Sequence, residues 1–311
     1  MPELTVIVPF VNEYPQVAFT LRSIMADLDD RVDYEVVAVD NYCEQVKSQG
    51  REEDKGGKHV QGFARVHPRL RYINYKDKLS HWNAKRVAVE ASTSPFLLFI
   101  DAHCVPDRDA LYHHFTYYRD HHQEMHGTQH LPLTYHILEN RKLIYSLQVR
   151  RQQGHVHYTF SSYREPGEEV YEVPCMSTCG MIMSREIWDA MRGLPPELGI
   201  YGGGENYINY VLAVLGYKKW IKTGGALHHH GEKRGYSYEH GDYLKNRALA
   251  LYCAGGMEYL KRFMAIQRGN RLVLQRIRDE VLVEQAERRA YIEDNTVISL
   301  DDWLDKWGVE P

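Results

Sequence analysis

No run of about eighteen apolar residues occurs anywhere in the chain, so no helix is expected to span a membrane. The opening segment, MPELTVIVPF, has no basic stretch ahead of an apolar one, so a secretory leader is not expected either. On this reading the protein acts in solution or borrows a membrane partner. An excess of charge of one sign is also missing. Lys and Arg number 38 against 42 Asp and Glu, a formal net charge of −4. That is too little for a global field that draws the chain to nucleic acid or membrane, although a sum conceals local patches. Cysteine is scarce. Cys43, Cys104, Cys175, Cys179 and Cys253 are odd in number and scattered, which excludes a disulfide framework. Cys175 and Cys179 have no second pair of like spacing, so a zinc knuckle is not expected. A reducing, cytoplasmic setting fits this usage. Internal repeats and low-complexity tracts are absent.

What is present is an ordinary globular composition, 43% hydrophobic and 26% charged, over 311 residues. That length holds one large domain or two small ones. The 17 histidines are unusual and raise the prospect of a metal site.

Buried strands are expected at Leu4–Pro9, Tyr34–Val39, Leu70–Tyr75 and Phe96–Ile100, each a short apolar or β-branched run. Helical spacing runs from Tyr14 to Leu28, and again over Ser80–Ala91 with Ser80 as N-cap. Residues 44–62 are polar and glycine-containing and read as a loop or mobile insertion. This alternation is the grammar of an α/β fold with a mostly parallel sheet, whose ligands bind beyond the carboxyl ends of the strands. Asn12, Glu13, Asp40, Asn41, Asp101 and His103 fall there. Residues 110–172 resist parsing. From about residue 236 the text turns helical, ending in a final helix capped by Ser299, so we divide the chain into a domain over 1–235 and a helical extension over 236–311.

Four groups carry possible chemistry. Asp101 and His103, two apart in an extended segment, share a face. A carboxylate and an imidazole suit Mn²⁺ better than Ca²⁺ and could screen a departing diphosphate. The plainer reading makes Asp101 a cap and His103 an ordinary polar residue. Next, in Leu227-His228-His229-His230, alternation puts His228 and His230 on one side, and either could complete the metal site. A solvated histidine run is the alternative. In Tyr201-Gly-Gly-Gly-Glu-Asn206, three glycines let backbone approach a ligand, and Glu205 at a helix start could contact sugar hydroxyls or act as a base. The alternative is a turn with Glu205 favoured by the helix dipole. Lastly, Gly231–Asp242 could be a lid closing on phosphates through Lys233 and Arg234, or merely a surface loop.

The ordered set resembles the family-2 glycosyltransferases with the GT-A fold. TVIVPFVNE at 5–13, YEVVAVD ending at Asp40, HWNAKRVAVEAS at 81–92 and LLFIDAHC at 97–104 carry the likeness. The Asp-X-His variant with GGGEN at 202–206 is similar to the polypeptide N-acetylgalactosaminyltransferases. The resemblance covers about residues 4–230. It implies that Pro9, Phe10, Asn12 and Glu13 border the nucleoside, that Asp40 bonds the base, and that Lys85 or Arg86 approaches the diphosphate. It further implies that Asp101 and His103 meet metal and phosphates, with His228 or His230 as the late ligand. Glu205, beside Gly203 and Gly204, would face the donor sugar or the acceptor. Inverting members usually carry two acidic residues where this chain has Glu205-Asn206, which leaves the base and the stereochemistry open. The N-acetylgalactosaminyltransferases also carry an anchor and a lectin domain, so their acceptor is not transferred.

The expected activity is therefore transfer of a hexose or pentose from a nucleoside diphosphate, UDP by default, to an acceptor hydroxyl with Mn²⁺ or Mg²⁺ as cofactor. The acceptor is either a bacterial surface glycan or its lipid-linked precursor, or DNA with hydroxymethylated bases. The second rests on the basic stretch Lys261, Arg262, Arg268, Arg271, Arg276 and Arg278, which reads more simply as a solvated helix face. A degenerate member that binds nucleotide or glycan without turnover is the non-enzymatic alternative.

Overall fold

The computed structural model describes residues 1–50, 53–134, 142–152, 155–159, 168–230 and 236–309, without the side chains of 152 and 155–159. Three of the apolar runs form the centre of the sheet: β1 (Leu4–Phe10), β2 (Tyr34–Asp40) and β4 (Phe96–Phe99), with β3 (Leu70–Asn74) at the edge. β1 pairs in parallel with β2 and β4, and β2 with β3. Parallel strands buried on both faces demand continuous apolar runs, which is what these strands have. The sheet continues through β11 (Met181–Ser184), antiparallel to β4, then β6 (Gly127–His130), β12 (Lys218–Lys222) and β10 (Val170–Glu172). Its order is β10-β12-β6-β11-β4-β1-β2-β3. A small second sheet joins β5 (Cys104–Pro106), β13 (Leu227–His229) and β7 (Leu133–Thr134). β8 (Gln148–Gln152) and β9 (His155–Thr159) form an antiparallel pair.

Helices cover the main sheet. They are α1 (Gln16–Leu28), α2 (Glu44–Lys47), α3 (Lys55–Ala64), α4 (His81–Glu90), α5 (Ala110–Met125), α6 (Arg185–Ala190) and α7 (Gly204–Val214). Ser80 caps α4 as expected, accepting from the Asn83 N–H. The segment read as a loop over 44–62 instead contains α2 and α3. Asp54 caps α3 through the Gly57 N–H, and Val60 buries itself in the main core. Glycine-rich sequence has poor helix propensity, and tertiary contact overrides it here. A Cβ at Gly56 would lie 3.1 Å from the Asn12 Cα, a tight contact, so glycine eases the approach of α3 to that turn.

The remaining elements are α8 (His240–Ile266), α9 (Arg271–Glu284), α10 (Ala286–Asp294) and α11 (Leu300–Lys306). α8 bends at Gly256, where φ is 73°. Its residues Ala248, Leu249 and Leu260 belong to the same hydrophobic cluster as the sheet. All five cysteines are buried and free, and the Cys104 and Cys179 sulfurs lie 3.3 Å apart. No helix among the described residues is long and apolar enough to cross a membrane.

Candidate active site

β4 ends at Phe99, and the chain leaves the sheet through Ile100 and Asp101 and turns at Ala102 and His103 into β5. β13 pairs antiparallel with β5, setting His229 opposite Cys104, and the His230 N–H donates to the His103 carbonyl. That pairing brings together ligand atoms of Asp101, His103 and His229, all within 4.8 Å of one another. The two imidazole Nε2 atoms are 2.9 Å apart, and His229 Nε2 is 3.9 Å from Asp101 Oδ2.

The third member is thus His229 rather than His228 or His230. The phase of β13 is set by Leu227, which is fully buried. Two residues further along the same strand face comes His229. His228 faces the other way, 2.7 Å from Asp107 Oδ1, and His230 lies past the end of β13.

His103 is oriented from behind. Its Nδ1 lies 2.6 Å from Glu13 Oε1, while Glu13 Oε2 accepts from the Val11 N–H. A carboxylate on one ring nitrogen fixes the tautomer and aims the lone pair of the other outward, a common arrangement behind ligating histidines. Glu13 was expected beside the nucleoside. Its contact with His103 could not be read from the sequence, because the partners are 90 residues apart.

Asp101 is governed by Lys85, whose side chain is 1% exposed. The ammonium lies 3.5 Å from Asp101 Oδ1, donates to Thr178 Oγ1 at 2.9 Å, and sits 4.9 Å from the Trp82 ring centroid. Burial by itself raises the Asp101 carboxyl, but Lys85 together with His81, His103 and His229 overrides it and holds the group well below the usual carboxylate range. Lys85 therefore sits under Asp101 with its side chain out of solvent. Arg86, one position on, turns away toward Asn83 and Glu90. It lines a separate cavity of about 320 Å³ with Trp188, Arg192 and Arg288.

These residues fit a divalent ion. Asp101 Oδ1 faces Lys85, while Oδ2 is turned to His229 and gives, with the two imidazole nitrogens, a mixed nitrogen and oxygen donor set. Two nitrogens each about 2.1 Å from one ion and at right angles are about 3 Å apart, close to the spacing of His103 and His229.

The glycine motif closes another wall. Gly203 takes φ 71°, and a Cβ there would lie 2.3 Å from the Asn246 backbone carbon. A Cβ on Gly204 would fall 2.3 Å from the Trp82 ring. Both glycines serve close packing of α7 against α8 and α4. They start α7 so that Glu205 lies in its first turn. Glu205 Oε1 accepts from Ser177 Oγ at 2.8 Å and from the Thr178 N–H at 3.2 Å. Thr178 thus touches both Glu205 and the lysine beneath Asp101. Neither Ser177 nor Thr178 carries a sequence signal for this role.

On the far side of β1, Pro9 and Phe10 are registered beside Val39 and Asp40 of β2. Asp40 accepts from the Tyr42 N–H through Oδ1 and from the Tyr72 hydroxyl through Oδ2. Asn12 accepts from the Lys55 and Gly56 N–H groups, so it anchors the start of α3. Burial, then a hydrogen bond and charge repulsion from Asp54, push Asp40 up to about 7. A carboxyl raised above its unfolded value of about 4 stabilises the fold at low pH, and that contribution fades as pH rises from about 4 to 7. Asp54→Asn keeps an oxygen for the Gly57 N–H but removes the second charge. Its Tm relative to wild type is expected to rise between pH 5 and pH 8, by the equivalent of about 1 kcal/mol. A difference flat with pH would show that the two carboxyls do not interact. Lys233 and Arg234 lie outside the described residues.

The family model "Glycosyl transferase family 2" matches residues 5–190. The chain belongs to glycosyltransferase family 2, and its fold is GT-A. Its structure is similar to the crystal structure of GalNAc-T7 with UDP, GalNAc and Mn²⁺, with TM-score 0.72 and 15% identity over 99% of this chain and 57% of that one. It is also similar to S. aureus TarS in complex with UDP-GlcNAc, with TM-score 0.54 and 14% identity over 99% and 92%. A third likeness is to the mannosyltransferase PcManGT from Pyrobaculum calidifontis in complex with GDP-Man and Mn²⁺, with TM-score 0.52 and 17% identity over 99% and 79%. The chain spans just over half the length of the GalNAc-T7 chain and of a longer TarS chain. At these identities the likeness is one of fold. No curated protein matches the sequence.

Proposed function

We propose that this glycosyltransferase moves a sugar from a nucleoside diphosphate, UDP in the first instance, to an acceptor hydroxyl, with a divalent ion, Mn²⁺ before Mg²⁺, held by Asp101, His103 and His229. The convergence of those three side chains beyond the carboxyl end of β4 carries the reading. Ligands of α/β sheets bind at that edge. The ion would supply positive charge against the diphosphate as it leaves.

The chain's own groups do the rest. Glu13 holds the His103 ring in one tautomer. Lys85 keeps Asp101 ionised within the protein. Asp40, at the end of β2, is the partner for the base, and Pro9 and Phe10 form the strand end beside it. Glu205, held by Ser177 and Thr178, meets donor or acceptor hydroxyls. Residues 1–235 act as the transferase domain and 236–311 as an extension folded onto it, since Asn246 of α8 bonds the Gly199, Tyr201 and Gly202 carbonyls. A reducing compartment such as the cytoplasm suits Cys104 and Cys179 as neighbouring thiols.

The test is a panel of nucleotide sugars scored for Mn²⁺-dependent thermal stabilisation and slow hydrolysis without acceptor. Hydrolysis of at least one UDP-sugar that EDTA abolishes is expected, and stabilisation indifferent to metal for the whole panel would refute the reading. Glu205→Gln keeps shape and loses charge. It is expected to lower turnover about 30-fold, the equivalent of one charged hydrogen bond of about 2 kcal/mol. Full turnover in that variant would remove Glu205 from the chemistry.

A further inference from the structure

The basic stretch between Lys261 and Arg278 plays no part in the site. It holds Lys261, Arg262, Arg268, Arg271, Arg276 and Arg278 and no Asp or Glu, in a chain whose formal net charge is −4. The structure gathers it at one corner. α8 ends at Ile266, the chain turns through Gln267–Asn270, and α9 begins at Arg271 with Asn270 as its cap.

α9 faces α8 and α10 with Ile277 and Val281, its buried residues. The tip that precedes them points outward. Leu272 is 76% exposed and Val273 39%. Arg262, Arg276 and Arg278 pair only with neighbours on their own helices, Glu258, Glu280 and Asp279. Such surface pairs are weak and yield to competing anions. Lys261, Arg268 and Arg271 form no ion pair with a described residue.

We propose that this α8–α9 corner docks the protein on an anionic lipid surface, with Leu272 and Val273 entering the interface and the surrounding basic side chains meeting the lipid phosphates. A bilayer with acidic headgroups offers both things the corner lacks, negative charge and an apolar layer beneath it. Nucleic acid offers the charge but leaves two protruding aliphatic side chains in water. A second copy of the chain meeting at this corner brings two clusters of like charge together. Docking in this way places the transferase against acceptors carried at a membrane surface. It does not depend on the catalytic reading, because binding is measured without turnover.

The experiment is co-sedimentation of the full chain with vesicles of phosphatidylcholine alone, and of phosphatidylcholine with about one-third phosphatidylglycerol. Binding is expected only to the acidic vesicles, weakening as salt rises. A basic residue near an acidic surface contributes about fivefold in partitioning, and an inserted leucine about tenfold or more. Leu272→Asp, and separately Arg268→Glu with Arg271→Glu, are each expected to weaken binding at least about tenfold with unchanged thermal unfolding. These are exposed positions outside the site, so folding and sugar-nucleotide hydrolysis are expected to stay as in wild type. The proposal is overturned by no vesicle binding, by equal binding to both vesicle types, or by variants that bind as wild type does. It is also overturned if the corner instead retains duplex DNA, or drives a dimer that Leu272→Asp disperses.

Discussion

His229→Ala is expected to reduce nucleotide-sugar turnover by about a thousandfold, whereas His228→Ala leaves it within about twofold. The contrast follows from which face of β13 each ring occupies. His229 shares the face of buried Leu227 and meets His103 and Asp101, and His228 reaches out to Asp107. Losing an ion that stabilises charge on a leaving diphosphate costs several kcal/mol in the barrier, and about 4 kcal/mol is a factor of about a thousand. Steady-state rates for the two variants at saturating Mn²⁺ provide the check. Reversed sensitivities would mean that the strand presents its other face to the ion.

The second large effect concerns stability. Lys85→Met is expected to destabilise the fold by about 3 kcal/mol at neutral pH, the usual scale when one partner of a buried ion pair is removed. Lys85 is buried and faces Asp101, so its loss strands a carboxylate whose own burial already favours the neutral form. In wild type the depressed Asp101 pKa adds stability above about pH 4, lost as pH falls through the folded value. In the variant that contribution is gone, and the carboxyl titrates higher. The deficit should therefore be largest near pH 8 and shrink toward pH 4. Denaturant melts of metal-free protein at several pH values measure it. Were Lys85 instead a solvent-facing phosphate contact, stability would stay constant and only KM would change.

The parallel half of the sheet, β1 to β4, was legible because its signals are local, whereas β6, β10 and β11 were not read. The runs at β1, β2 and β4 are continuous and apolar, and Ser80 three residues before Asn83 announces the start of α4. Asp101 and His103 were visible because they follow an apolar run, although Ala102 and His103 form a turn and not the extended segment the alternation assumes. What escaped depends on contacts between distant segments. Choosing among the histidines requires knowing that Leu227 is buried and that β13 pairs with β5. Choosing between Lys85 and Arg86 requires knowing which side of α4 meets Asp101, and adjacent helical residues point about 100° apart. Helix α3 escaped because Gly56 and Gly57 are poor helix formers. Their value lies in the closeness they allow to Asn12 and Asp40. Glu13 was singled out, but for a different task, since nothing in its neighbourhood in sequence points to His103.

The most direct measurement is Mn²⁺ binding followed by the electron paramagnetic resonance of the free ion, with UDP present, in wild type, Asp101→Asn and His229→Ala. One ion bound per wild-type chain, and binding lost in both variants while their thermal unfolding stays cooperative, is the expected result. Equal binding in all three proteins, or none in wild type, would contradict a metal centre formed by Asp101, His103 and His229.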